Sequence, residues 1–156
     1  MNTRIEQTIL RKLLTDDEYM RKVLPFIKAE YFEGPYRTLF KEAGKFVGKY
    51  NKLPSAETFK IELDQSDMLG GEQYSVAVDI LPQLFSKEKI DDTWLIDTTE
   101  KWCQDRAIYN AVMESISIID GKHESLTKGA LPDLLSMSCL VASKPDCTVA
   151  NKLDSP

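Results

Sequence analysis

The sequence holds a single histidine, His123, among 156 residues. Any metal site or catalytic dyad built on histidine would depend on it. It stands in the polar stretch Gly121-Lys122-His123-Glu124-Ser125 with no ligand pattern around it, and reads as a solvent-facing loop residue. Cysteine is scarce as well. The three, at 103, 139 and 147, are odd in number, far apart and unlike any zinc spacing, as expected of free thiols in a reducing cytoplasm. No apolar run is long enough to span a bilayer, and Met1-Asn2-Thr3-Arg4 leads straight into an amphipathic pattern with no signal segment. The expectation is a cytoplasmic protein with no membrane partner.

The glycines never gather into a phosphate-binding loop. Gly-Lys occurs at 44–45, 48–49 and 121–122. None of these has a glycine five residues ahead of its own, and none is followed by Ser or Thr. Without that backbone cradle no nucleotide cofactor is expected, nor does any other cofactor or metal have a motif. Acidic residues are plentiful but spread along the chain. Asp91-Asp92 fits a helix cap better than a catalytic pair, and no nucleophile has a recognisable base. The sequence therefore predicts a protein that is not an enzyme. Strand-like alternation of useful length and internal repeats are missing too, which leaves an all-α fold.

What is present is a series of capped helical segments. Thr3-Arg4-Ile5-Glu6 reads as a capping box opening a helix with Ile5, Ile9, Leu10, Leu13 and Leu14 inside. Thr15-Asp16-Asp17-Glu18 reads as a second box, its helix stopping near Pro25. The aromatic pair Tyr31-Phe32 lies in the connection that follows, a structural corner plugging the space between helices. Pro35 suits the first turn of a third helix to about Tyr50, and Ser55 caps a fourth to about Gln65. A fifth runs from about Glu72 to Phe85, with Pro82 limiting its regularity. A long sixth spans Asp91 to Asp120 and is ended by Gly121. A short pattern from Leu131 to about Val141 returns antiparallel to it. This divides the chain into a globular helical subdomain over 1–90, a long helix with its return helix as a hairpin over 91–142, and a polar tail over 143–156 expected to be disordered.

Charge is uneven along this series. Residues 1–60 carry twelve Lys/Arg against eight Asp/Glu, while residues 61–100 carry two against ten. The overall balance of −5 argues against a protein built mainly to hold duplex DNA, yet leaves room for a local basic surface. Arg37, Lys41, Lys45 and Lys49 recur every four residues and share one side of the third helix. Two roles stay open for them: a solvated face, or a docking stripe for phosphates or an acidic partner.

The long helix is the most informative segment. From Arg106 to Ile119 it has no Gly or Pro. Trp94, Thr98, Trp102, Tyr109, Val112, Met113, Ile116 and Ile119 fall at three- and four-residue spacings on one face. Cys103, Ala107, Ala111, Ser115 and Ile118 make a second, small-residue face. A helix apolar this far round is expected to be buried on two sides, either by its own chain or by another subunit. Tyr109, Val112, Met113, Ile116 and Ile119 are the expected self-association residues.

An ordered set of short matches then carries a resemblance. It comprises Ile9-Leu10, Tyr31-Phe32-Glu33 with Gly34-Pro35 and Phe40-Lys41, Tyr50 with Leu53-Pro54-Ser55, and Tyr74-Ser75. It continues with Trp94-Leu95, Thr99-Glu100-Lys101, Gln104-Asp105-Arg106-Ala107, Asn110-Ala111 and Leu131-Pro132-Asp133. Over residues 1 to about 138 the chain resembles the N-terminal domain of the replicative DNA helicases of T4-like bacteriophages, relatives of the bacterial DnaB-type hexameric helicases. The resemblance implies an all-helical domain ending in a helical hairpin. Such hairpins pair between subunits into a collar that receives primase and helicase-loading proteins, in a phage protein working inside a bacterial host. From Cys139 onward the resemblance stops, and the family's ATPase domain has no counterpart here. A fragment, a split gene product, a shifted reading frame and the start of an intein all stay open for that break. The chain by itself is expected neither to hydrolyse ATP nor to unwind DNA. The competing expectation is a stand-alone helical nucleic-acid-binding or adaptor protein that uses the Arg37–Lys49 stripe.

Overall fold

A computed structural model describes residues 3–67, 69–122 and 127–142, with side chains described over 4–136 of that range. Seven α-helices and two 3-10 turns make up the fold, and no strand occurs among the described residues. The fold is all-α, as the capped 3.6-residue patterns predict. His123 and the expected tail over 143–156 lie outside the described residues. No helix among those described is long and apolar enough to cross a membrane. The chain divides into two compact units, Met1–Thr99 and Glu100–Pro156.

The first unit is built on α1 (Thr3–Thr15), which packs against α2 (Asp17–Val23), α3 (Gly34–Tyr50) and α5 (Gly71–Leu84). Ile9, Leu10, Leu13 and Leu14 form the buried stripe of α1. Each contributes roughly 1.5–3 kcal/mol by leaving water. α4 (Ala56–Asp64) leans on α3 and α5 and adds Phe59 and Leu63 to the core. The first turns of α6 (Asp92–Ile119) complete it with Leu95 and Thr99. Thr99 donates its only hydroxyl proton to the Leu95 carbonyl at 2.6 Å, so at 2.5 Å the buried Tyr19 hydroxyl must be the donor to Thr99.

Local chemistry sets the boundaries. Ser55 Oγ accepts from the Thr58 backbone N–H at 3.2 Å and caps α4. Asp91 caps α6 through the Trp94 N–H at 2.8 Å. Asn51, left-handed at φ 53°, ends α3, a conformation asparagine tolerates better than most residues. Gly34 at φ +54° opens α3 in the left-handed region, where a Cβ would strain the backbone. α6 ends in a Schellman motif. The Lys122 N–H reaches the Ser117 carbonyl at 2.9 Å and the Gly121 N–H reaches Ile118 at 3.0 Å, with Gly121 at φ +72°.

Of the two expected capping boxes, the second does not form as read. In the first, the buried Glu6 carboxylate accepts from the Glu33 backbone N–H at 3.2 Å, across the unit. Thr15 belongs to α1 and donates its hydroxyl to the Arg11 carbonyl at 2.8 Å. Asp16 is extended and supplies the α2 cap, accepting from the Tyr19 N–H at 3.1 Å. A threonine still inside a helix satisfies itself on the carbonyl four residues back, so the cap passes to the next residue with an acceptor.

The corner Tyr31-Phe32 packs as a structural element. A 3-10 turn at Ala29–Tyr31 delivers both rings into the core, and Phe32 stacks on Phe40 at 5.0 Å. In the second unit α6 continues to Ile119. A second 3-10 turn at Lys128–Ala130 then leads into α7 (Leu131–Ala142), where a return helix is expected.

Candidate self-association surface

The back half of α6 sorts its side chains sharply. Cys103, Ala107, Ala111, Ser115 and Ile118 are buried. Ser115 removes its polarity by donating to the Ala111 carbonyl at 2.7 Å. Around the same helix Tyr109, Val112, Met113, Ile116 and Ile119 are exposed, Ile119 to 55%. The small side chains allow close packing on one side, and the large ones are left in water on the other. All five expected association residues thus stand together on one open strip. Ile108, missing from that set, is exposed beside them. Its signal was available, since Ile108, Val112 and Ile116 follow at four-residue steps. Trp102 and Thr98, expected on the same face, are half-buried.

Tyr109 is held in place. The Arg106 guanidinium, itself buried, lies 4.9 Å from its ring centroid, in cation–π range. Aromatic and arginine side chains dominate interface hot spots because they combine large contact area with fixed geometry.

The basic stripe on α3 is exposed along its length, but most of it is engaged internally. Arg37 donates Nε to the Phe32 carbonyl at 2.9 Å, Lys45 pairs with Glu42 at 3.0 Å, and Lys49 lies 5.1 Å from the Tyr50 ring centroid. Lys41 alone has no such partner among the described residues. Beside the stripe an open groove of about 290 Å³ runs between the start of α3 and α5. Gly34, Pro35, Thr38, Leu69, Glu72, Gln73 and Val76 line it.

Sites for other chemistry do not assemble among the described residues. No group of three or more His, Cys, Asp or Glu is placed to hold a metal. Gly44 and Gly48 lie inside α3, where the backbone N–H groups belong to the helix. Asp91 is occupied as a cap, and Asp92 pairs with Lys12 at 2.8 Å. That contact, with Asp16 behind it, holds the Lys12 ammonium above its ordinary pKa against the opposing effect of burial. The Cys103 thiol is buried.

No family model matches the chain. A DnaB-like replicative helicase of Enterobacteria phage T4 is 31% identical to it over 145 residues, which is 87% of this chain and 30% of that protein. The chain is related to a phage helicase. It spans about 30% of the length of the relative it matches.

Proposed function

We propose that the chain is the N-terminal collar domain of a phage-type replicative helicase, a DNA-replication module that associates with its own copies. Primase or a helicase loader would dock on the assembled collar, and the chain would contribute no ATPase of its own. The observation that carries this is the open strip Tyr109, Val112, Met113, Ile116 and Ile119 on α6, in a chain related to a replicative helicase. Monomeric proteins seldom leave a contiguous apolar patch of this kind in water. A two-fold pairing of α6–α7 hairpins buries the strip against its own copy and yields a four-helix arrangement.

Sedimentation at tens of micromolar tests the proposal. The wild-type chain is expected to be dimeric or larger, and Ile116→Asp to return it to a monomer with its helix content unchanged. A wild-type chain that stays strictly monomeric overturns the proposal. The competing nucleic-acid role of the α3 stripe has less support, since three of its four cations are held by groups of the same chain.

A further inference from the structure

A second surface lies entirely within the first unit and does not use the strip. The groove between α3 and α5 has an apolar lining from Pro35, Leu69 and Val76, with Val76 exposed for want of anything against it. Its α3 lip is cationic. Arg37 and Lys41 both lie to one side of Thr38 around the helix. Arg37 is pinned by Nε to the Phe32 carbonyl, which leaves its two terminal nitrogens without a partner among the described residues, as is the Lys41 ammonium. Glu72 is the one charged lining residue, on the α5 side.

The same unit presents a matching knob. Trp94, on the first turn of α6, is 54% exposed, although an indole is among the costliest side chains to leave in water. Asp91 and Asp97, three residues to either side, flank it at about 60° around the helix. Asp91 spends one oxygen capping the Trp94 N–H, and Asp97 is exposed with no partner among the described residues. Trp94 is not among the residues lining the groove of its own chain.

We infer that Trp94 of one copy seats in the α3–α5 groove of a second copy, with Asp91 and Asp97 facing Arg37 and Lys41. The groove takes an apolar knob, its lip takes negative charge, and the chain carries both at the exposed start of one helix. Knob and groove are different surfaces, so the contact is heterologous, unlike the self-complementary pairing proposed for α6. Trp94 lies fourteen residues before Ile108, about 21 Å along a straight helix, so the two contacts fail independently.

The test uses chains with Ile116→Asp, which silences the strip, and Trp102→Phe, which leaves Trp94 as the one tryptophan. Trp94 emission is expected to shift to the blue as protein concentration rises, and to revert as salt screens the lip. Trp94→Ala should weaken association in sedimentation by about 10-fold or more, as hot-spot tryptophans do. Val76→Glu, or Thr38→Arg as a second way to block the groove, should do the same, with circular dichroism verifying the fold of each. The decisive arm is complementation. A Trp94→Ala chain keeps its groove and a Val76→Glu chain keeps its knob, so the two should associate when mixed though neither does alone. Emission that ignores concentration overturns the inference. So does a mixture that stays monomeric, which would leave the groove to a different protein.

Discussion

Asp16 shows how much rests on one carboxylate. It caps α2 through the Tyr19 N–H and meets Lys12 at 3.0 Å, while Lys12 also reaches Asp92 on the first turn of α6. The backbone hydrogen bond from Tyr19, with Lys12 behind it, holds the Asp16 carboxyl below its ordinary pKa against the opposing effect of burial. A carboxylate whose pKa is lower folded than unfolded stabilises the fold above the unfolded value. That stability is lost as pH falls through the folded value. Lys12 has the opposite sign: its pKa is raised on folding, so its contribution is lost only as pH rises through that raised value. Asp16→Ala should cost about 1 kcal/mol at neutral pH through loss of the cap. Asp16→Asn keeps an acceptor and should cost less, yet flatten the acid limb of the stability curve. Thermal melts of the three proteins from neutral to acid pH check both effects. At this scale the sequence was legible in kind and wrong in detail. Acceptors stood near each helix start, but Thr15 turned to its own helix, and only the folded chain brings the Glu33 N–H to Glu6.

At the scale of elements, helix boundaries followed from caps and breakers: Ser55, Asp91, Asn51 and Gly121 all act where their chemistry allows. What the long helix buries was harder to read. Both of its faces are apolar in sequence, and periodicity cannot say which one meets neighbours in the same chain. The structure buries the face of small side chains and leaves the larger ones outside. Mutations should report this asymmetry. Ala111→Leu forces extra methylenes against a packed face and should destabilise by about 1–3 kcal/mol. Val112→Ala should move monomer stability by less than about 0.5 kcal/mol, a surface effect. Urea melts of the dilute protein measure both, and equal costs would contradict the burial of one face. On α3, Lys41→Glu with Lys45→Glu separates the two roles of the stripe. A docking site should lose affinity for primase, loader or single-stranded DNA with the fold intact, and a solvated face should lose nothing in binding assays against each.

At the scale of the whole molecule, the helical class was legible because α-helical periodicity and caps are local, and relation to a phage helicase adds what no local pattern contains. The open strip on α6 was legible only as a choice, since periodicity marks an apolar face without saying what covers it. The proposed role carries a simple biochemical expectation. The chain should show no saturable ATP binding at micromolar concentration in calorimetry, because its Gly-Lys pairs at 44–45 and 48–49 sit inside a helix. Binding there would require a different site.

α6 has 28 residues, about 42 Å of helix, and the division between the two compact units falls within it, between Thr99 and Glu100. No loop interrupts the helix at that junction. A hydrogen-bonded rod propagates order from turn to turn, because extending it is easy and starting it is hard. Both units thus hold turns of the same helix, and a break placed at Thr99–Glu100 would cost helical hydrogen bonds in each.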